Sequence, residues 1–148
     1  MMHHLDPSDP TTKDKMPGSL LAQNNSGAQR ILETFGMLNV ELQDASGNKL
    51  QIVNPTSIEM PISAFQLATA PTTIPLWYFD ETLGYWKQEG SATKVGNKYV
   101  GTVNHFSWWN CDAPFDQCNL TVTVNNNSGI PISNLNIEII RPSQIYSR

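Results

Sequence analysis

Apolar and polar residues alternate along much of the chain. Leu38, Val40 and Leu42 are separated by Asn39, Glu41 and Gln43, the period of two of a half-buried strand, with regular structure beginning near Ile31. Gly36 marks a bend or bulge within this strand. Asp44-Ala45-Ser46-Gly47-Asn48 is a turn cluster, after which Leu50 and Ile52 resume the alternation, so this stretch predicts a hairpin. Ile58, Met60 and Ile62 form the next apolar row, with Pro61 pointing to an edge strand or a strand end. Ser63 to Ala70 is the one stretch with helical character, and it is short. Strands follow at Ile74 to Phe79 and at Tyr85-Trp86-Lys87, joined by a loop at Asp80-Glu81-Thr82-Leu83-Gly84. Ser91 to Val95 and Lys98 to Val103 flank a Gly96-Asn97 turn, and His105 to Asn110 is a further strand. Leu120, Val122 and Val124, then Leu135, Ile137 and Ile139, predict a last hairpin around Asn125 to Gly129. About nine short strands at roughly 8–12-residue spacing predict an all-β protein, an antiparallel β-sandwich.

Residues 1–30 show no such period and are rich in Pro, Asn, Ser and Gly, which predicts an extended arm or surface loop. The expected organisation is therefore an arm over 1–30, a sandwich module over 31–113 and a hairpin within 114–148.

Composition agrees with sheet. Charged residues are 15% of the 148, and the polar surface is carried by Thr, Ser, Asn and Gln. The net charge is −4, with basic residues scattered singly, which weighs against nucleic-acid binding and against docking on anionic membranes. No apolar run approaches the ~20 residues of a membrane span, and the opening Met1-Met2-His3-His4-Leu5-Asp6-Pro7 lacks a signal-peptide core, so no membrane insertion is expected.

Candidate chemistry is sparse. Cys111 and Cys118 bracket a turn-rich loop; a disulfide there would contribute about 2–3 kcal/mol, and a buried thiol beside a free one is the equal alternative. His105 with Cys111 and Cys118 gives three of the four ligands that structural zinc needs, so no metal site is assigned. His3 and His4 could hold a metal only adventitiously, and Asp6 with Asp9 lacks an EF-hand pattern. Asp80, Glu81 and Glu89 could suggest a glycosidase carboxylate pair, but Asp80 is placed to cap a hairpin loop. No Gly-x-Ser-x-Gly elbow is present. The expectation is a protein that is not an enzyme, without catalytic residues or cofactors.

The aromatics carry more weight. Trp77, Trp86, Trp108 and Trp109 accompany Tyr78, Tyr85 and Tyr99, and alternation puts Trp108 and Trp109, like Trp77 and Tyr78, on opposite faces of a strand. One of each pair belongs to a core; the other is either exposed, as a platform for sugar rings or a protein anchor, or buried at an interface.

The segments Ile74-Pro75-Leu76-Trp77-Tyr78-Phe79-Asp80-Glu81, Gly84-Tyr85-Trp86-Lys87-Gln88-Glu89-Gly90, Gly96-Asn97-Lys98-Tyr99-Val100-Gly101 and His105-Phe106-Ser107-Trp108-Trp109-Asn110-Cys111-Asp112 together resemble one family. With Met16-Pro17-Gly18 and Glu33-Thr34-Phe35-Gly36-Met37 they cover roughly residues 4–113. The family is a β-rich domain of large bacterial surface proteins and lipoproteins carrying carboxypeptidase-regulatory-like repeats, with a more distant likeness to animal extracellular proteins such as cartilage intermediate layer protein. Leu120 to Ile139 is similar to the opening strands of a carboxypeptidase-regulatory-like domain, which would need several more. The resemblance implies an extracellular or cell-surface parent, a structural or adhesion-like role, and no catalytic residues. It also implies an excerpt whose open sheet edges are completed by strand exchange, giving a homodimer or larger oligomer, or by the C-terminal hairpin folding back. The functional expectation is a non-catalytic structural or interaction module with a glycan or protein ligand; the alternatives are a carbohydrate-binding module using the four tryptophans and, more weakly, a hydrolase fragment.

Overall fold

The computed structural model describes residues 1–115 and 121–137. Its elements are β1 (Met2–Leu5), α1 (Thr12–Lys15), β2 (Leu21–Gln23), β3 (Gln29–Val40), β4 (Leu42–Gln43), β5 (Lys49–Leu50), β6 (Thr56–Pro61), β7 (Thr73–Asp80), β8 (Tyr85–Val95), β9 (Lys98–Val103) and β10 (Trp108–Phe115). The fold is all-β and its pairing is antiparallel apart from one contact. Ser63 to Ala70 forms consecutive turns, with Gln66 N–H bonded to the Ser63 carbonyl and Ala70 N–H to that of Gln66.

The sandwich is one sheet wrapped on itself, in the order β1-β3-β10-β7-β8-β9-β6. The edge position of β6 suits its terminal Pro61, which has no N–H to offer a further neighbour. The sheet curls until β6 approaches β3, and a Cβ on Gly36 would meet the Met60 side chain at 3.1 Å. Inside this curl lies the larger core, built from Phe35, Leu38, Ile58, Met60, Ile74, Leu76, Tyr99, Val103, Trp109 and Cys111 among others.

A second core lies on the opposite face. Leu5, Leu20, Ala22, Leu32, Met37, Trp77 and Trp86 form it, flanked by Met16, Phe79 and Trp108. Its cover comes from residues 1–23, where the sequence predicted an arm. β1 pairs antiparallel with β3, and β2 pairs with β3 on one side and in parallel with β8 on the other, Ala22 facing Trp86. β3, β10, β7, β8 and β2 thereby form a closed ring of paired strands. β1 and β2 contribute too few buried residues to show a period, which is why the pattern gave no sign of them.

Two other expectations change. Leu38 and Val40 are buried as predicted, but Leu42 is exposed, because β4 and β5 form a separate two-stranded hairpin. In the tail, the Asn125–Pro131 bridge and the Gly129 N–H to Asn126 carbonyl bond form the expected turn. Val122, Leu135 and Ile137 remain exposed there, so these residues do not complete a core by folding back.

Candidate functional site

Three of the four tryptophans have no exposed surface at all. Each ring N–H donates to a backbone carbonyl: Trp77 to Asp112 at 3.0 Å, Trp86 to Ser19 at 2.9 Å and Trp109 to His105 at 3.1 Å. A buried indole needs such an acceptor. The alternation was read correctly, since Trp77 and Trp108 turn to one core while Tyr78 and Trp109 turn to the other, but both faces of this sheet are covered. Trp77, Trp86 and Trp109 therefore offer no ring face to solvent, and of the four tryptophans only Trp108 is partly exposed.

Trp108 borders a groove of about 460 Å³ between the β4–β5 hairpin and the ends of β7 and β10. The hairpin is tied down by Gln51, whose amide donates to the Phe106 carbonyl at 2.9 Å while its oxygen accepts the Phe106 N–H at 2.8 Å. This side chain imitates a strand neighbour and fixes the width of the groove. The aromatic walls are Tyr78, Phe79, Phe106 and Trp108. His105 packs edge-to-face on Tyr78 at 4.9 Å and tilts against Trp109 at 5.0 Å, with its Nε2 3.5 Å from Glu89 Oε2.

The charged residues of the groove are Glu41, Lys49, Asp80 and Glu81. Glu41 and Lys49 pair at 2.8 Å; the Lys49 hydrogen bond lowers the Glu41 pKa, and the same bond raises that of Lys49. Asp80 caps the β7–β8 turn as predicted, accepting the N–H groups of Thr82 and Leu83 at 3.0 Å. Lys87 lies 3.8 Å from Asp80 and 5.9 Å from the Tyr78 ring centre.

Elsewhere the predicted residues do not converge. His3 and His4 are successive residues of β1 and so point to opposite sides of the strand. Asp6 and Asp9 cap local turns through Ser8 and Thr11. Among the described residues no three metal-ligating side chains come together. Cys111 is buried in the larger core, where burial pushes its thiol pKa up strongly. Cys118, and with it the proposed bridge, lies outside the described residues.

A buried polar cluster was missed. Asp112 and Asn110 have no exposed surface, the Asn110 amide donates to Asp112, and the Thr34 hydroxyl donates to Asn110 at 2.9 Å. Asp112 Oδ1 and Gln66 Oε1 are buried without a partner. Gln66 donates through its amide nitrogen to the Thr34 carbonyl at 2.8 Å. Only the polar Asn110 and Asp112 inside an otherwise apolar strand hinted at this cluster.

Comparison with known proteins gives a limited likeness. Over 94 residues, 63% of this chain, the sequence is 27% identical to cartilage intermediate layer protein 2 of Homo sapiens. The match spans 8% of that protein's length. No protein-family model matches the chain, and no solved structure matches it. Among the described residues no helix is long and apolar enough to cross a membrane.

Proposed function

We propose that this chain is a non-catalytic structural and interaction module of an extracellular surface protein. The observation that carries the reading is the complete burial of Trp77, Trp86 and Trp109, each bonded to backbone. The large aromatic side chains are committed to filling the two cores, the use expected of a scaffold. The likeness to a human cartilage protein supports an extracellular setting, as does the resemblance of the Leu76-Trp77-Tyr78-Phe79-Asp80 region to bacterial surface modules. Exposed Val122, Ile130, Ile132, Leu135 and Ile137 support self-association through the tail.

Glycan-array binding, hydrolysis assays on ester and glycosidic substrates, and light scattering test this reading together. The expected result is no turnover, no retained glycan and a mass above the 16.5 kDa of one chain. Turnover of any substrate overturns it. A second reading, carbohydrate binding, draws on the partly exposed Trp108 beside Tyr78. A retained glycan that a folded Trp108→Ala variant fails to capture would establish that reading instead.

A further inference from the structure

We infer that the groove between the β4–β5 hairpin and β7 receives a cationic side chain, an arginine or lysine of a protein partner. This deepens the interaction-module reading and rests on it. Three observations converge. The groove is large enough for a side chain with its flanking backbone, and the Gln51–Phe106 pairing holds it open. Its charged lining is three carboxylates, Glu41, Asp80 and Glu81, against the single ammonium of Lys49. That lysine is already held by Glu41, and Lys87 lies 3.8 Å from Asp80, so the surplus negative charge falls on Glu81, in a groove whose walls include Phe106 and Trp108.

Glu81, in a lining that includes Phe106 and Trp108, suits a guanidinium or ammonium group, which gains from the ring quadrupole and from charge-assisted hydrogen bonds. The protein makes a version of this contact itself, with Lys87 near both the Tyr78 ring and Asp80. A sugar is the poorer occupant. Tyr78, packed by His105 on one side and approached by Lys87, offers no open face to either occupant, and a neutral sugar leaves the charge of Glu81 unanswered. An anionic ligand would meet the surplus charge of Glu81. The overall charge of −4 favours approach of a basic partner in the same sense.

The test is an NMR titration of the isotope-labelled full chain at low salt with the blocked peptide acetyl-Gly-Arg-Gly-amide. The same peptide with citrulline keeps the shape and removes the charge, and chitohexaose provides the sugar arm. The expected result is a saturable shift of the Trp108 indole N–H and the Glu81 amide with the arginine peptide, with a dissociation constant of about 1 mM. The citrulline peptide should leave both signals in place. Glu81→Gln, at an exposed position, should weaken binding by about fivefold, the scale of one solvent-accessible charge pair, without altering the rest of the spectrum. Equal responses to arginine and citrulline, or shifts located away from the groove, overturn the inference. Silence toward all three probes also overturns it and leaves the scaffold reading intact. A response to chitohexaose alone overturns both in favour of sugar binding.

Discussion

Asp112 is a carboxyl group with no exposed surface and one oxygen without a partner. Burial drives its pKa well above the ordinary range, outweighing the hydrogen bonding that works to lower it, and the charge of Glu33 adds to the rise. A raised folded value means that the folded chain holds this proton more tightly than the unfolded one. The contribution to stability is therefore full below about pH 3.9 and is lost as pH rises through the folded value, at up to about 1.4 kcal/mol per pH unit. Asp112→Asn should remove that decline, as urea unfolding across a pH series would measure. Asp6 behaves in the opposite sense. Partial burial works to raise its pKa, but hydrogen bonds from Ser63 and Ser8 outweigh it and lower the value. Its contribution is present above about pH 3.9 and fades on acidification. Trp77→Phe should cost about 2–3 kcal/mol in urea unfolding, combining lost packing with an orphaned Asp112 carbonyl. The same change at Trp108, on the groove rim, should cost under about 1.5 kcal/mol. The sequence told these tryptophans apart only by face. Which faces are covered depends on residues 1–23, which no local pattern around the tryptophans reveals.

At the scale of elements, β3 carries the most demanding geometry. Its Leu32 and Met37 enter one core while Phe35, Leu38 and Val40 enter the other. Gly36 stands between Phe35 of one core and Met37 of the other with φ of 141°, pressed against Met60, and β10 shifts register opposite this region between Asn110 and Asp112. Gly36→Ala should therefore cost about 1–3 kcal/mol, through both backbone strain and the displaced methionine, visible as a lowered urea midpoint. The strands centred on Leu38, Met60, Leu76 and Tyr99 were legible because each buries alternate residues over at least one face. The hairpin of β4 and β5 was legible from its turn residues, although its exposed Leu42 and Leu50 were not. The groove it borders joins residues around 41–51, 78–81 and 105–108, and short-range sequence patterns carry no record of such a meeting.

For the whole molecule, residues 1–23 are structural. They bury Leu5, Leu20 and Ala22 against Trp77 and Trp86. A chain lacking residues 1–23 should bind the hydrophobic dye ANS and lose its sharp unfolding transition, because the second core is then open to water. A variant that stays fully cooperative would mean that the segment is dispensable.

The parallel seam of β2 with β8 also sets a schedule for biosynthesis. Ser19 must wait for Trp86, 67 positions later, before its carbonyl has a donor. At roughly 5–20 residues per second, that wait on the ribosome is about 3–13 s. During it Leu20 and Ala22 have no finished wall to cover, because Trp86 and its strand β8 are still to be made.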